Sequence, residues 1–278
     1  MPKVSVIIPC YNIGQYLDEA VDSVLAQIFQ DFEIIIVNDG STDEFTNKLL
    51  ANYTKPKTRV LNTGNQGLPS ARNNGIEISS GEYICCLDAD DKYHPEFLEK
   101  SVAVLDADKN KEYGFVTTWI QCFGDNNEIW KTSDYNPFRL AVMNLIHVAS
   151  LFRRTCWIDR QYSTNLSGYQ DWDFWIAIVS LGYKWTCINE PLFYYRIRKG
   201  SMVSESDKKR LSLIRTIIDN NESFYGKNWK KILIEAQGLI QEKNDAINAM
   251  QNTINAMQNT YSWKITSPLR WFRKLIGY

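Results

Sequence analysis

Two carboxylates, Asp88 and Asp90, stand one residue apart, with Ala89 between them, Asp91 after them and an apolar run directly before them. At a strand end, where the chain turns, such a pair can point at one small volume and hold a hard divalent cation with its bound diphosphate. Mg²⁺ and Mn²⁺ suit oxygen donors of this kind. An acidic loop standing in water is the plain alternative, and the position straight after the run at 83–87 favours a site. A second polar cluster, Asn38-Asp39-Gly40-Ser41-Thr42-Asp43, follows another apolar run. Asp39 could accept hydrogen bonds from a base or ribose, Gly40 permits a tight turn, and Ser41 or Asp43 could cap a following helix. A turn and cap account for Gly40, Ser41 and Asp43, but they leave Asp39 unexplained.

The elements that must position these residues are legible in the hydrophobic pattern. Runs at 4–8, 33–37 and 82–87 are short, apolar and largely β-branched, as buried strands require. Leu17, Val21, Val24 and Leu25 recur at helical spacing over 16–25, and a second helix is expected over 70–78. Strands alternating with helices form parallel βαβ units, whose binding residues gather beyond the carboxyl ends of the strands. The polar segments 9–12, 38–43 and 88–91 all fall at such ends, so topology alone brings three sequence-distant loops to one rim. From about Phe115 to Arg198 the pattern is mixed and rich in tryptophan, with a helix expected over 171–181.

The 278 residues are 44% hydrophobic, enough for one large domain or a domain with an appendage, and this excludes a disordered chain. A net charge of -1 gives no electrostatic reason to expect nucleic acid. No C-x-x-C pair occurs among the six cysteines, so neither a zinc site nor a dithiol redox site is suggested, and a reducing cytosol fits. The first residues show no secretory leader, and no run approaches a bilayer span.

After Ser201 the sequence turns polar and helical. Leu233, Ala236, Ile240, Ile247, Met250, Ile254, Met257 and Tyr261 follow the three-four spacing of a heptad seam, with Lys243 interrupting it. The unit Ile-Asn-Ala-Met-Gln-Asn-Thr occurs twice in succession, at 247–253 and 254–260. A coiled coil over 231–262, offering self-association, is expected, with a helix folded back on the globular part as the alternative. At about 100° per residue, Leu269, Trp271, Phe272, Leu275 and Ile276 share one face of the tail at 263–278, with Arg270, Arg273 and Lys274 on the other. Pro268 is placed to start that helix. A basic face opposite an aromatic one suits an in-plane helix on an anionic membrane surface; docking on its own domain is the alternative.

Four motifs in order, Val4-Ser-Val-Ile-Ile-Pro-Cys-Tyr-Asn12, Val37-Asn-Asp-Gly-Ser-Thr-Asp43, Ser70-Ala-Arg-Asn-Asn-Gly75 and Leu87-Asp-Ala-Asp-Asp91, closely resemble the family-2 glycosyltransferases with the GT-A fold. The similarity continues into Gly168-Tyr-Gln-Asp-Trp-Asp-Phe-Trp175, which resembles the family segment carrying the catalytic base, and covers roughly residues 3–205. It implies an α/β fold, a Rossmann-like mixed sheet flanked by helices, over 1–205. A helical connector over 206–230, the coiled coil and the tail would follow.

The implied activity is inverting transfer of a sugar from a nucleotide donor, commonly a UDP-sugar, to an acceptor hydroxyl. Position by position, the resemblance makes Pro9, Tyr11 and Asp39 nucleotide contacts and sets Arg72 beside the nucleotide or its phosphates. Asp88, Ala89 and Asp90 would line the donor site, with Asp88 facing the ribose or sugar and Asp90 ligating the metal. Asp171 matches the catalytic carboxylate, which must take a proton from an acceptor hydroxyl that is otherwise a poor nucleophile.

Two departures from the family pattern matter. Gln170 stands where the family often has Glu, so Asp171 lacks an adjacent carboxylate and Asp173 becomes the rival base. Arg198 stands where the family often has His; Arg cannot ligate a metal, but it can grip phosphate oxygens. Trp119, Trp130, Trp172 and Trp175 are candidate sugar platforms, and Trp172, beside the expected base, is the choice for the acceptor site, together with Arg198. His94 and His147 read as structural. The segment 261–270 also resembles the tails of bacterial surface-polysaccharide glycosyltransferases. It implies a lipid-linked or glycan acceptor and an enzyme peripheral to the inner face of the cell membrane. A sugar nucleotidyltransferase is the rival enzyme, but Pro9-Cys10-Tyr11-Asn12 stands where its Gly-rich loop would be. A nucleotide-binding scaffold is the non-enzymatic rival, and the survival of both the acidic pair and a base counts against it.

Overall fold

The structure is a computed structural model and describes residues 1–132, 134–198 and 208–259. The chain divides into two compact units, Met1–Asn228 and Trp229–Tyr278. The strands of the first unit are β1 (Val4–Cys10), β2 (Phe32–Asp39), β3 (Thr58–Thr63), β4 (Tyr83–Cys86), β5 (Lys92–Tyr93), β6 (Tyr113–Gly124), β7 (Ile129–Trp130), β8 (Leu151–Arg153) and β9 (Lys184–Ile197). They form one mixed sheet in the order β3-β2-β1-β4-β8-β6-β9-β5, with β7 paired to β6. β3, β2, β1 and β4 run parallel, β8 is antiparallel to its neighbours, and β6 pairs parallel with β9.

Alternation along the parallel strands builds two cores, as a pleated sheet covered on both faces must. Val4, Val6, Ile8, Ile34 and Ile36 meet Leu17, Ala20, Val21 and Val24 of α1 (Gly14–Leu25). Ile7, Ile35 and Val37 face the other way, onto Ala71 and Ile76 of α3 (Leu68–Ile78). α2 (Glu44–Ala51) and α4 (Phe97–Ala107) add Leu50, Phe97 and Leu98 to the first core. α7 (Gln170–Ser180) adds Trp172, Phe174, Trp175 and Ile176 to the second, beside the short α5 (Pro137–Val142) and α6 (Arg154–Asp159). The three expected strands and three expected helices of the first 181 residues form within two residues of their read boundaries. β3 went unread because its residues are only partly buried, so no apolar run marks it.

Of the stretch expected as a connector, the described residues 208–228 belong to the first unit. α8 (Arg210–Asn220) buries Leu213 and Ile217 in the second core, and Phe224 and Tyr225 pack on it. A further helix, α9 (Glu222–Asn259), runs into the second unit, where Leu233, Ile240, Ile247, Met250, Ile254 and Met257 all stand exposed. Among the described residues no helix is long and apolar enough to cross a membrane. The tail over 263–278, with its expected membrane face, lies outside the described residues, as do 199–207 and with them the expected domain boundary at 205.

Candidate active site

The loops after β1, β2 and β4 share the rim formed by the carboxyl ends of the parallel strands, and each is fixed by local chemistry. Asn12, in the left-handed region at φ 55°, turns its Oδ1 to accept from the amides of Thr42 at 2.7 Å and Asp43 at 3.0 Å. This ties the first loop to the second. Asp43 caps α2 by accepting from the amides of Phe45 and Thr46, while Ser41 accepts from the Asn12 amide instead. Gly40 sits at φ 66°, and a Cβ there would lie 2.5 Å from the Asn65 nitrogen, so this turn requires glycine.

Asp39, expected as a nucleotide contact, is buried and binds the backbone that leads into α3. Its Oδ1 accepts from the Gln66 amide and its Oδ2 from the Gly67 amide, both at 2.9 Å. Gly67 is the N-cap of α3, so Asp39 holds the start of the helix that carries Arg72. Among the other expected contacts, Tyr11 is 43% exposed at the end of β1, whereas Pro9 and Ala89 are buried.

Arg72 is 2% exposed and donates from Nη2 to Asp88 Oδ1 at 2.8 Å. Its Nε and Nη1 are buried and have no hydrogen-bond partner among the described residues. Burial opposes the guanidinium charge, but Asp88, with Tyr162 and Cys86 adding to it, outweighs that opposition, so Arg72 is held charged. Two unmet donors on a buried cation are costly unless a ligand or water meets them, so they mark the place for an anionic or oxygen-rich ligand.

Arg198 donates from Nε to Asp90 Oδ2 at 2.9 Å, and its Nη2 lies 2.8 Å from the same oxygen in an ion pair. Beside it Arg196 donates its amide to Asp91 Oδ1 and its Nε to the Asp90 carbonyl, each at 2.8 Å, and its Nη2 to Glu19 at 3.0 Å. Burial and the neighbouring Asp88 push the Asp90 carboxyl above the usual range against the pull of Arg198. Burial pushes Asp91 well above it, with Asp90 and Asp88 adding to the effect.

Among the described residues no cluster of three or more potential metal-ligating side chains occurs. The donor set still suits a hard dication: Asp88 and Asp90 supply carboxylate oxygens, and such ions commonly take only one or two carboxylates and complete their shell with phosphate and water.

Asp171 lies in the first turn of α7, where the helix dipole favours a carboxylate. Asn144, from the loop after α5, donates to its Oδ2 at 3.2 Å. Burial raises the Asp171 pKa above the ordinary carboxylate value; Arg72 and Asn144 pull it back, and Asp88 adds to the rise. The charges of Arg72 and Asp88 therefore reach the carboxylate expected as base. Asp173, the rival, is 1% exposed and its Oδ1 accepts from Asn221 at 2.8 Å and Asn220 at 3.1 Å, which ties α7 to the end of α8.

The structure corrects the choice of Trp172 for the acceptor site. Its ring is 2% exposed in the second core and its Nε1 donates to the Leu140 carbonyl, so it has no face to offer a sugar. Trp175 is fully buried as well, stacked on Phe115. Trp130 is the exposed one, at 43%, with its ring centroid 5.8 Å from that of Tyr195. Tyr195 is itself influenced by Asp88, Asp90, Asp91 and Asp171, which together with burial raise its hydroxyl pKa. Sequence reading missed both Tyr195 and Asn144. Asn144 carries no local motif, and Tyr195 lies in the family-like segment beside the more conspicuous arginines. His147 is structural as expected: burial depresses its pKa to about 3, and its ring stacks on Phe193.

The mixed sheet thus presents the Arg72–Asp88 and Arg198–Asp90 pairs beyond its strand ends, with the half-buried carboxylate of Asp171 at the start of α7 within reach of the first pair's charges. The sequence model of glycosyl transferase family 2 matches residues 5–170, and the chain belongs to that family. It is therefore a glycosyltransferase. Among curated proteins it is 28% identical over 225 residues to an uncharacterized glycosyltransferase, MJ1057, of Methanocaldococcus jannaschii, covering 76% of each chain. It is 28% identical over 212 residues to the chondroitin synthase of Pasteurella multocida, covering 73% of this chain and 21% of that one. It spans only 38% of the Escherichia coli glycosyltransferase YibD. Among solved structures the fold is similar to S. aureus TarS 1-349 in complex with UDP-GlcNAc, with a TM-score of 0.65 at 20% identity over 78% of this chain and 66% of that one. The mannosyltransferase PcManGT from Pyrobaculum calidifontis, in complex with GDP-Man and Mn²⁺, gives a TM-score of 0.60 at 17% identity over 98% and 84%. The architecture is the GT-A fold expected from the sequence.

Proposed function

We propose that the chain transfers a sugar, with inversion, from a nucleoside-diphosphate sugar to a hydroxyl of a glycan or lipid-linked acceptor. The observation that carries this reading is the half-buried Asp171 at the start of α7, hydrogen-bonded by Asn144 and within the electrostatic reach of the Arg72–Asp88 pair. In this reading Asp171 takes the acceptor proton as the hydroxyl oxygen bonds to the anomeric carbon. The bond from that carbon to the diphosphate breaks on the opposite face, and the nucleoside diphosphate leaves. Arg72 directs its two unmet donors at phosphate or sugar oxygens, where stabilisation counts most as charge develops. A divalent cation, Mn²⁺ or Mg²⁺, held by Asp88 and Asp90 would supply further charge stabilisation to the leaving group. Tyr11, exposed at the rim, and Asp39, which anchors α3, belong to the nucleotide side of the site.

Trp130 and Tyr195 replace Trp172 in this reading as the aromatic wall for an acceptor ring. The chondroitin and hyaluronan synthases of Pasteurella multocida among the relatives support a polysaccharide-type acceptor. A place on the inner face of the membrane, in bacterial surface-glycan synthesis, rests on the tail at 263–278.

The test is nucleotide release from UDP-, GDP- and TDP-sugars with Mn²⁺, Mg²⁺ or EDTA, in wild type and Asp171→Asn. Wild type should release one nucleotide. The variant should lose transfer by about a thousandfold, the scale of general-base catalysis, while binding that nucleotide unchanged. Full turnover in Asp171→Asn would sink the base assignment.

A further inference from the structure

Each carboxylate placed to ligate a cation is already matched by a fixed arginine: Asp88 by Arg72 and Asp90 by Arg198. A dication arriving alone finds little uncompensated negative charge there. The two arginines are held very differently. Arg72 is 2% exposed on the inner face of the site, whereas the Arg198 side chain is 29% exposed. Arg198 makes one hydrogen bond to Asp90, from Nε to Oδ2, with Nη2 2.8 Å from that same oxygen, short of the two parallel bonds a guanidinium makes with a well-aligned oxyanion. Its neighbour Arg196 is the anchored one, bound to Asp91, the Asp90 carbonyl and Glu19, and both guanidiniums lie over the Tyr16 ring, at 4.7 Å for Arg196 and 5.5 Å for Arg198. Anchoring Arg196 fixes the strand end from which Arg198 projects.

We infer that Arg198 is an exchangeable counter-ion: it guards Asp90 in the donor-free enzyme and transfers to the donor diphosphate on binding, so that cation binding depends on the nucleotide. This deepens the function proposed above and rests on it. A diphosphate brings the negative charge that a dication needs, and it also offers Arg198 two oxygens in place of one. When it leaves Asp90, Arg198 frees an oxygen for the cation at the moment the diphosphate arrives to share it. Arg198 thereby fills the position of a metal-ligating side chain with a residue that binds the other partner of the metal.

Mn²⁺ uptake by the full-length protein, read as loss of the free-ion electron paramagnetic resonance signal with and without UDP, GDP and dTDP, tests the inference. Calorimetry of the same diphosphates in EDTA gives the metal-free affinity. Wild type should bind Mn²⁺ at least about tenfold more tightly with its diphosphate than without. Arg198→Ala should bind Mn²⁺ alone about tenfold more tightly than wild type and lose about tenfold in diphosphate affinity in EDTA, the scale of one charge-assisted contact. Arg198→Lys, which keeps the charge without the fork, should fall between the two and covers the case in which the alanine variant does not fold. Wild-type values for both ligands in Arg198→Ala, or equal Mn²⁺ affinity with and without nucleotide in wild type, would overturn the exchange alone. Wild type binding no diphosphate, with or without Mn²⁺, would overturn the exchange and the nucleotide-sugar reading together.

Discussion

Asp171 is pulled in two directions: burial holds its proton on, while Arg72 and the Asn144 amide favour the carboxylate. A base must be ionised to act, and its raised pKa places the acid limb of the rate profile above the range of an ordinary exposed carboxylate. Removing the Asn144 bond removes a preference for the charged form, so the pKa rises further and activity is lost at higher pH. In Asn144→Ala the acid limb of kcat/KM should move upward by as much as about one pH unit, the equivalent of one hydrogen bond. An unmoved limb would mean that Asn144 does not bear on the base. The choice between Asp171 and Asp173 could not be made from residue type or spacing. The proposed choice of Asp171 draws support from partners: Asp173 Oδ1 accepts from two asparagines of the α8 end, which sequence separation hides.

Helix α3 shows how an element carries a site residue into place. Its start is held by Asp39 and its middle lies so close to the sheet that a Cβ on Gly75 would sit 2.5 Å from Ile7 Cγ2 and 2.9 Å from Val37 Cγ2. The approach lets Arg72 reach Asp88 at the end of β4. Gly75→Ala should cost about 1–3 kcal/mol of stability, the usual range for overpacking, read as a lower urea midpoint. It should also weaken diphosphate binding by displacing Arg72; wild-type affinity in a destabilised variant would separate the helix position from the site. α1, α3, α7 and the three parallel strands were legible because their apolar period is strong and both sheet faces are covered. The edge strand β3 and the two-residue β5 and β7 were not, because β3 is only partly buried and two residues leave no local period.

At the scale of the whole molecule, the first unit closes through Leu213, Ile217, Phe224 and Tyr225, and the second presents the heptad positions in the open. Ile247 is 62% and Met250 66% exposed, an apolar stripe that a second copy of the helix would cover. Deletion of 231–278 should lower the sedimenting mass to that of a monomer and abolish flotation with anionic liposomes. An unchanged mass would remove the coiled coil, and failure of the full chain to float would remove the membrane-facing tail.

The sequence by itself determined the α/β alternation, the three strand-end loops and the acidic pair, because these follow from local period and from motifs a few residues long. It also determined the family. Only the tertiary structure decided that Trp172 is core, that Asp39 anchors α3, that Asp173 Oδ1 accepts from Asn220 and Asn221 and that Arg198 sits on Asp90. Each of these depends on a partner 28 to 108 residues away. Burial and pairing across such distances are set when the sheet closes, and no local pattern encodes which side chain will be enclosed or which charge will meet it.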